Sequence, residues 1–246
     1  QANASFAEVF GRRPAALPLK DAAHIRTGNS LRIDWEEVCP PPGEGEEVFI
    51  AGNPPFVGSN FQTGDQKDER DRLFKKDFKA YKNLDYVAGW FYLAARYAET
   101  FGRTQFAFVS TNSISQGRQV PSLWPHLLRN LRIKFAHTSF LWRNNASANA
   151  AVICVIIGVA PNDGGKSKLF ENDLSSDVPA ISPYLIPIAP VYVEGSGRSL
   201  FDLPRMDYGS KPADGGNLVL SSQDRDEIVA VHPEATQFIR KYLGSK

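Results

Sequence analysis

An asparagine followed by two prolines and a phenylalanine, Asn53-Pro54-Pro55-Phe56, closes the apolar run VFIAG. Each proline fixes a φ angle and removes a backbone donor, and Pro54 biases Asn53 toward extended backbone. The result is a stiff turn that holds one amide side chain, one carbonyl and one aromatic ring in fixed relation. Those groups suit a particular chemistry. An exocyclic amine on a planar ring is a poor nucleophile, because its lone pair is delocalised into the ring. The Asn53 side-chain oxygen and the Pro54 carbonyl can accept the amine hydrogens, draw the nitrogen toward tetrahedral geometry and aim its lone pair at an electrophilic carbon. Positioning and preorganised dipoles then supply the catalysis. Phe56 offers a flat face for the ring. A rigid strand-end turn without chemistry is the competing reading, and four letters alone leave both open.

Such a turn belongs at the carboxyl end of a strand, where open α/β sheets bind ligands. VFIAG, residues 48–52, reads as a short buried strand. Before it, NSLRIDW (29–35) alternates Leu31, Ile33 and Trp35 as a strand would, and CPPPGEGEE (39–47) is a loop. After it, the charged stretch 63–82 places Leu73, Phe74, Phe78 and Tyr81 at helical spacing. Its Arg70, Arg72, Lys75, Lys76, Lys79 and Lys82 form either a solvated face or a rim for phosphates. Residues 83–100 read as a buried helix and 105–110 as a strand. The turn TNSISQG, with Asn112 and Ser113, follows that strand. A helix around 123–131, the strand IKFAHTSF and the β-branched run at 150–159 complete an α/β layer arrangement. Beyond residue 160 the chain becomes rich in glycine and proline, with only short extended pieces such as PVYVEG. The last stretch, from Ser221 or Ser222 as N-cap, reads as a helix that stops near Gly244.

The totals restrict the function less than the motif does. With 246 residues, 42% hydrophobic and 22% charged, the chain can bury an ordinary core. Its net charge is +1, from 28 basic and 27 acidic residues, so any nucleic-acid surface must be local. Cys39 and Cys154 are far apart, and with His24, His126, His137 and His232 they make no metal-ligand spacing. No metal is expected, and the cysteine usage fits a reducing compartment. No apolar run reaches membrane-spanning length and no secretory leader is visible. A first residue of Gln1 suggests a piece of a longer protein.

Taken together, the segments GNPPFVGS, NLDYVAGW, FVSTNSISQG, FAHTSFLWRNNAS and AAVICVIIG, in this order, resemble the MmeI-like enzymes. These are single-chain type II restriction–modification proteins that methylate adenine N6 with S-adenosylmethionine. The tail, from ISPYLI through FDLPRMDYGSKPADGGNLVLSSQDRDEI to FIRKYLGS, resembles the segment leading into their target-recognition domain. The resemblance covers roughly residues 20–246. It implies an α/β fold, the later half of a Rossmann-like methyltransferase sheet, followed by a loop-rich segment that leads to target recognition. It places the catalytic domain in 1–160 and the linker and start of the recognition region in 161–246.

Carried onto this sequence, the resemblance makes Asn53, Pro54, Pro55 and Phe56 the catalytic motif. It puts Phe56 on one side of a flipped adenine and Trp142 or Phe140 on the other, with Trp142 preferred. Asn29, Ser30, Asn53 and Asp85 would lie near the cofactor. For Asn29 and Ser30 a polar turn, and for Asp85 a helix N-cap, are the structural alternatives. Arg143 is the one charge in FLWRNNAS that could meet a phosphate. The partner is duplex DNA, from which the base must be extruded, in the bacterial cytoplasm. The family's glycine-rich cofactor turn, expected upstream of NPPF, is not found in this sequence, since Gly43 and Gly45 precede a strand and read as plain loop; the expectation is that this stretch alone binds cofactor poorly or not at all and is inactive by itself. An RNA or protein-glutamine methyltransferase, or a non-catalytic DNA-binding scaffold, are the alternatives.

Overall fold

A computed structural model describes residues 25–142, 152–172, 174–196, 215 and 217–241. The chain divides into two compact units, Gln1–Gly195 and Ser196–Lys246. In the first, strands β1 (Val48–Gly52), β2 (Thr104–Thr111), β3 (Leu131–Trp142), β4 (Val152–Pro161), β5 (Ser167–Glu171) and β6 (Leu174–Val178) form one mixed sheet in the order β1-β2-β4-β3-β5-β6. β1 and β2 are parallel, as are β3 and β5; β4 runs antiparallel to both β2 and β3. The carboxyl ends of β1, β2 and β3 therefore meet at one edge of the sheet.

Two long helices cover one sheet face. α2 (Gly64–Phe74) precedes them, and α3 (Ala88–Phe101) and α4 (Gln119–Leu127) supply the covering side chains. Phe91 of α3 meets Phe108 at 5.2 Å and Trp124 of α4 at 5.8 Å between ring centroids. Val155, Ile157 and Val159 of β4 face this core, and all are buried. Their alternates point the other way. There the ring of Phe135 lies over Gly158, where a Cβ would come within 2.1 Å of it, so only glycine fits.

Several elements differ from expectation for local reasons. NSLRIDW is not a strand. The Asn29 carbonyl accepts the N–H groups of Arg32 and Ile33, and Asp34 caps the short helix α1 (Trp35–Val38) by accepting the Glu36 N–H at 3.0 Å. The two short polar side chains bond the backbone nearby and override the alternation. β1 is not buried but lies at the edge of the described sheet, with Phe49 68% exposed. The charged helix ends at Phe74 rather than residue 82; a turn then brings Phe78 beside Phe74, and Ala80 adopts φ 54° before a 3₁₀ turn at Tyr81–Asn83. The sheet continues past the compositional change at residue 160, because β5 pairs onto β3 and β6 onto β5. The PVYVEG stretch forms no strand.

In the second unit, Ser221 caps α5 (Ser222–Val231) through a reciprocal bond pair with Asp224. This helix ends at Val231, because Pro233 follows and a 3₁₀ turn takes over. Gly244, Arg143 and His24 lie outside the described residues. Among the described residues no helix is long and apolar enough to cross a membrane.

Candidate active site

The turn after β1 opens onto a cavity of about 500 Å³. Main chain and side chains of Ile50, Ala51, Gly52, Asn53, Pro54 and Pro55 form one wall, and Ser30, Ile33, Trp35, Trp90, Tyr97 and Phe108 contribute to the others. Asn53 and Pro55 are exposed, Pro54 is buried, and Phe56 is half-buried against the hydrophobic core. Among the described residues nothing bonds the Asn53 side-chain amide, so both its polar atoms are available to a ligand.

The walls are fixed by a few specific contacts. The Trp35 indole N–H donates to the Ser30 carbonyl at 2.8 Å, and the Trp90 indole N–H to Ser30 Oγ at 2.9 Å. Gly89 allows Leu31 to pack onto α3, since a Cβ there would come within 2.9 Å of the leucine. These contacts bring the 28–33 segment against α3 and make Ser30 part of the cavity. Asn29 turns away from it. Its Nδ2 donates to Glu69 at 2.7 Å and its Oδ1 accepts the Leu31 N–H at 2.9 Å.

Glu69 is buried and gathers three donors: Asn29, Arg32 at 2.7 Å and the Tyr86 hydroxyl. Burial raises its pKa, but the bonds from Tyr86, Arg32 and Asn29 outweigh that and hold it below the usual carboxylate range. The Tyr86 hydroxyl is pushed up to about 12, first by burial and then by the bond to Glu69.

Asp85 does not line the cavity. It sits behind the turn, where its Oδ1 accepts the N–H of Val57 at 2.9 Å and of Val87 at 3.2 Å. Burial raises its pKa, and the Val87, Val57 and Tyr86 N–H groups oppose the rise. The Val57 carbonyl in turn accepts the Tyr86 N–H at 3.0 Å and Gln62 Nε2 at 3.1 Å. Gln62 is buried, and its Nε2 also donates to the Leu84 carbonyl at 2.9 Å while its Oε1 accepts from Arg70 at 3.0 Å. Gln119 Oε1 accepts the Asp85 N–H at 3.1 Å. Arg70 is thus a buried structural residue and not part of a charged rim. Gln62, Glu69, Tyr86, Gln119, Trp35 and Trp90 were not singled out by sequence reasoning. A glutamine amid charged residues carries no spacing signal, and Glu69, Tyr86, Gln119 and Trp90 bond partners 17 or more residues away.

Phe140 and Trp142 stand at the carboxyl end of β3. Phe140 and Thr111 both register with Cys154 on β4, so β2 ends level with Phe140 and β3 runs two residues farther, to Trp142 opposite Val152. The two rings lie 6.3 Å apart on the same strand face; Phe140 is half-buried and Trp142 is 42% exposed. The structure therefore brings Asn53, Pro54, Pro55 and Ser30 together at one cavity. Phe56 packs against the hydrophobic core, Phe140 and Trp142 lie at the end of β3, which β2 and β4 separate from β1, and Asn29 and Asp85 bond Glu69 and the backbone of Val57 and Val87.

The sequence matches known proteins over nearly its whole length. Residues 1–171 match the MmeI DNA-methyltransferase domain, and residues 187–246 match the MmeI target recognition domain. DNA methyltransferase A of Bacillus subtilis (strain 168) is 41% identical over 240 residues, which are 97% of this chain and 27% of that protein. The solved structure of the type IIL restriction-modification enzyme MmeI in complex with DNA superposes with a TM-score of 0.85 at 37% identity, covering 98% of this chain and 33% of that one. The chain spans a third or less of the length of these relatives. With its α/β sheet, its proline-stiffened turn and both family matches, this chain belongs to the MmeI DNA-methyltransferase family and carries, after the methyltransferase domain, a segment of the MmeI target recognition domain.

Proposed function

We propose that the parent protein transfers a methyl group from S-adenosylmethionine to the N6 amine of an adenine flipped out of duplex DNA in the bacterial cytoplasm, within a restriction–modification protein. The observation that carries this reading is Asn53: an unbonded amide on a proline-fixed turn, at the mouth of an apolar and aromatic cavity beyond the carboxyl end of a strand.

The cavity fits the cofactor. Its walls suit a thioether and a purine, and its main-chain wall ends at Asn53. Ser30, Trp35, Trp90 and residues 51–55 would hold it, and bound there it supplies an electrophilic methyl group. Asn53 Oδ1 and the Pro54 carbonyl accept the two amine hydrogens and direct the nitrogen lone pair toward that carbon. Pro54 and Pro55 keep the acceptors in register. Phe56 and either Trp142 or Phe140 bracket the base, each stack contributing about 1–3 kcal/mol toward extrusion. Asp85 acts on this chemistry through the backbone of the turn. Gly43 and Gly45 belong to a turn before β1, where Gly43 N–H donates to Glu46 Oε2 at 2.8 Å, and they offer no cradle after a strand. In this reading the strands up to residue 160 carry the reacting groups, and the chain beyond leads to target recognition.

The test uses the full-length protein and its Asn53→Ala variant, with N6-methyladenine mapped across the host DNA. A sequence-specific mark lost in Asn53→Ala is the expected result, and it also yields the recognition site. Absence of a mark from the intact protein overturns the adenine reading and turns attention to RNA or protein amides. A mark that survives Asn53→Ala means that the catalytic turn lies elsewhere.

A further inference from the structure

Five residues beyond the catalytic motif, Phe61 stands 84% exposed. It ends a tight turn, with its N–H donating to the Gly58 carbonyl at 2.8 Å. A loop that displays a large apolar ring to water is usually mobile and polar, yet this one is braced on both sides. On one side the Val57 N–H is held by Asp85 and the Val57 carbonyl by Tyr86 and Gln62. On the other, the adjacent Gln62 is buried and bonded to Leu84 and Arg70, and Thr63 caps α2 through a reciprocal bond pair with Gln66. The Gln62-to-Val57 bond closes the stem of the loop. These bonds fix the stem of the loop that carries the exposed phenylalanine. At most about 17 Å of chain separates it from Phe56.

We infer that Phe61 is the residue that enters the base stack when the target adenine leaves it. This rests on the methyltransferase reading above. Extruding a base leaves an unstacked gap and an unpaired partner, and an apolar ring inserted from the protein offsets that cost. A ring for this purpose must be exposed before binding, rigidly mounted, and next to the pocket that receives the base. Among the described residues of this unit the other exposed aromatics differ: Phe49 projects from the body of β1, and Trp142 belongs to the strand end that brackets the base. Phe61 contacts DNA and takes no part in cofactor binding, since it does not line the cavity.

The experiment uses the full-length protein and a duplex of its mapped recognition sequence with 2-aminopurine in place of the target adenine. The emission of this base rises when it leaves the stack. Wild type, Phe61→Ala and Phe61→Trp are compared on that duplex and on one with an abasic site opposite the target, where no pairing opposes extrusion. Cofactor affinity and the thermal midpoint are measured alongside. Phe61→Ala is expected to lose most of the emission rise on the paired duplex and about tenfold in affinity, with normal cofactor binding and midpoint. The deficit shrinks on the abasic duplex, and Phe61→Trp restores function on the paired one. Emission from Phe61→Ala equal to wild type overturns the inference alone. Equal losses on both duplexes also overturn it, since they mark a general docking contact. A wild type that neither opens nor methylates the site overturns both this inference and the reading beneath it.

Discussion

The carboxylate of Asp85 accepts the backbone N–H of Val57 at 2.9 Å, 28 residues back along the chain. Val57 directly follows the motif, so this one bond joins the segment that leads into the buried helix to the end of the proline-stiffened turn. The same oxygen accepts the Val87 N–H at 3.2 Å, which ties the contact to the first turn of α3. Replacing Asp85 by alanine leaves the buried Val87 N–H and the half-buried Val57 N–H without their acceptor, and an unmet buried donor costs about 1–3 kcal/mol. Asp85→Ala should lower the urea midpoint and reduce kcat more than it alters KM for DNA. Asp85→Asn keeps an acceptor and should recover most of both. Denaturation and single-turnover methylation of the full-length protein check this; equal kcat in wild type and Asp85→Ala would separate the bond from catalysis.

The two acceptors proposed for the amine make a finer prediction about Asn53. In the proposed reaction its side-chain oxygen is the working atom, and aspartate retains an acceptor there. Asn53→Asp should keep measurable methyl transfer, whereas Asn53→Ala should lose about 10²–10³ in kcat. Cofactor affinity should change little in either. Parallel kinetics and calorimetry decide it.

Glu69 and Tyr86 give stability opposite pH limbs. Glu69 is held below the usual carboxylate range in the folded chain, so its contribution is present above the ordinary value of 4.5 and is lost as pH falls through the lowered one. Tyr86 is raised from 10.0 to about 12, so its contribution is present below 10.0 and is lost as pH rises through about 12. Glu69→Gln should flatten the acid limb of a stability–pH curve. Tyr86→Phe should flatten the alkaline limb. Urea unfolding at a series of pH values measures both.

Gly158→Ala should destabilise the sheet, because the new methyl group would meet the Phe135 ring within 2.1–2.5 Å. Overpacking of this kind costs about 1–3 kcal/mol. Phe135→Leu in the same chain should relieve part of it. The double-mutant cycle reads the coupling directly, and additive effects would show that the ring moves aside freely.

Arg70 and the exposed lysines of the same stretch should behave differently although the sequence presents them alike. Arg70 is 7% exposed and bonds Gln62 and the Lys82 carbonyl. Arg70→Ala should destabilise the fold by more than 1 kcal/mol, while Lys75→Ala and Lys76→Ala should stay within about ±0.5 kcal/mol. Chemical denaturation of the three variants is sufficient.

The amino-acid sequence by itself determined the strand-end turn, the buried helix after it, the α/β layering and an N-cap at Ser221 or Ser222, of which the structure uses Ser221. Each is set by neighbours in the chain: proline geometry at 54 and 55, apolar period in 88–101, the Ser221–Asp224 pair. It also carried the ordered segments by which the family resemblance was seen. Only the tertiary structure decided which polar residues face the cavity and which hold its frame. Asn29 turns to Glu69, Asp85 to Val57 and Arg70 to Gln62, across 40, 28 and 8 residues respectively. A side chain's type states what it can bond, but packing of distant elements chooses the partner. For the same reason β1 read as a core strand: its apolar residues are set by composition, and its place at the edge of the described sheet is set by which strands lie beside it.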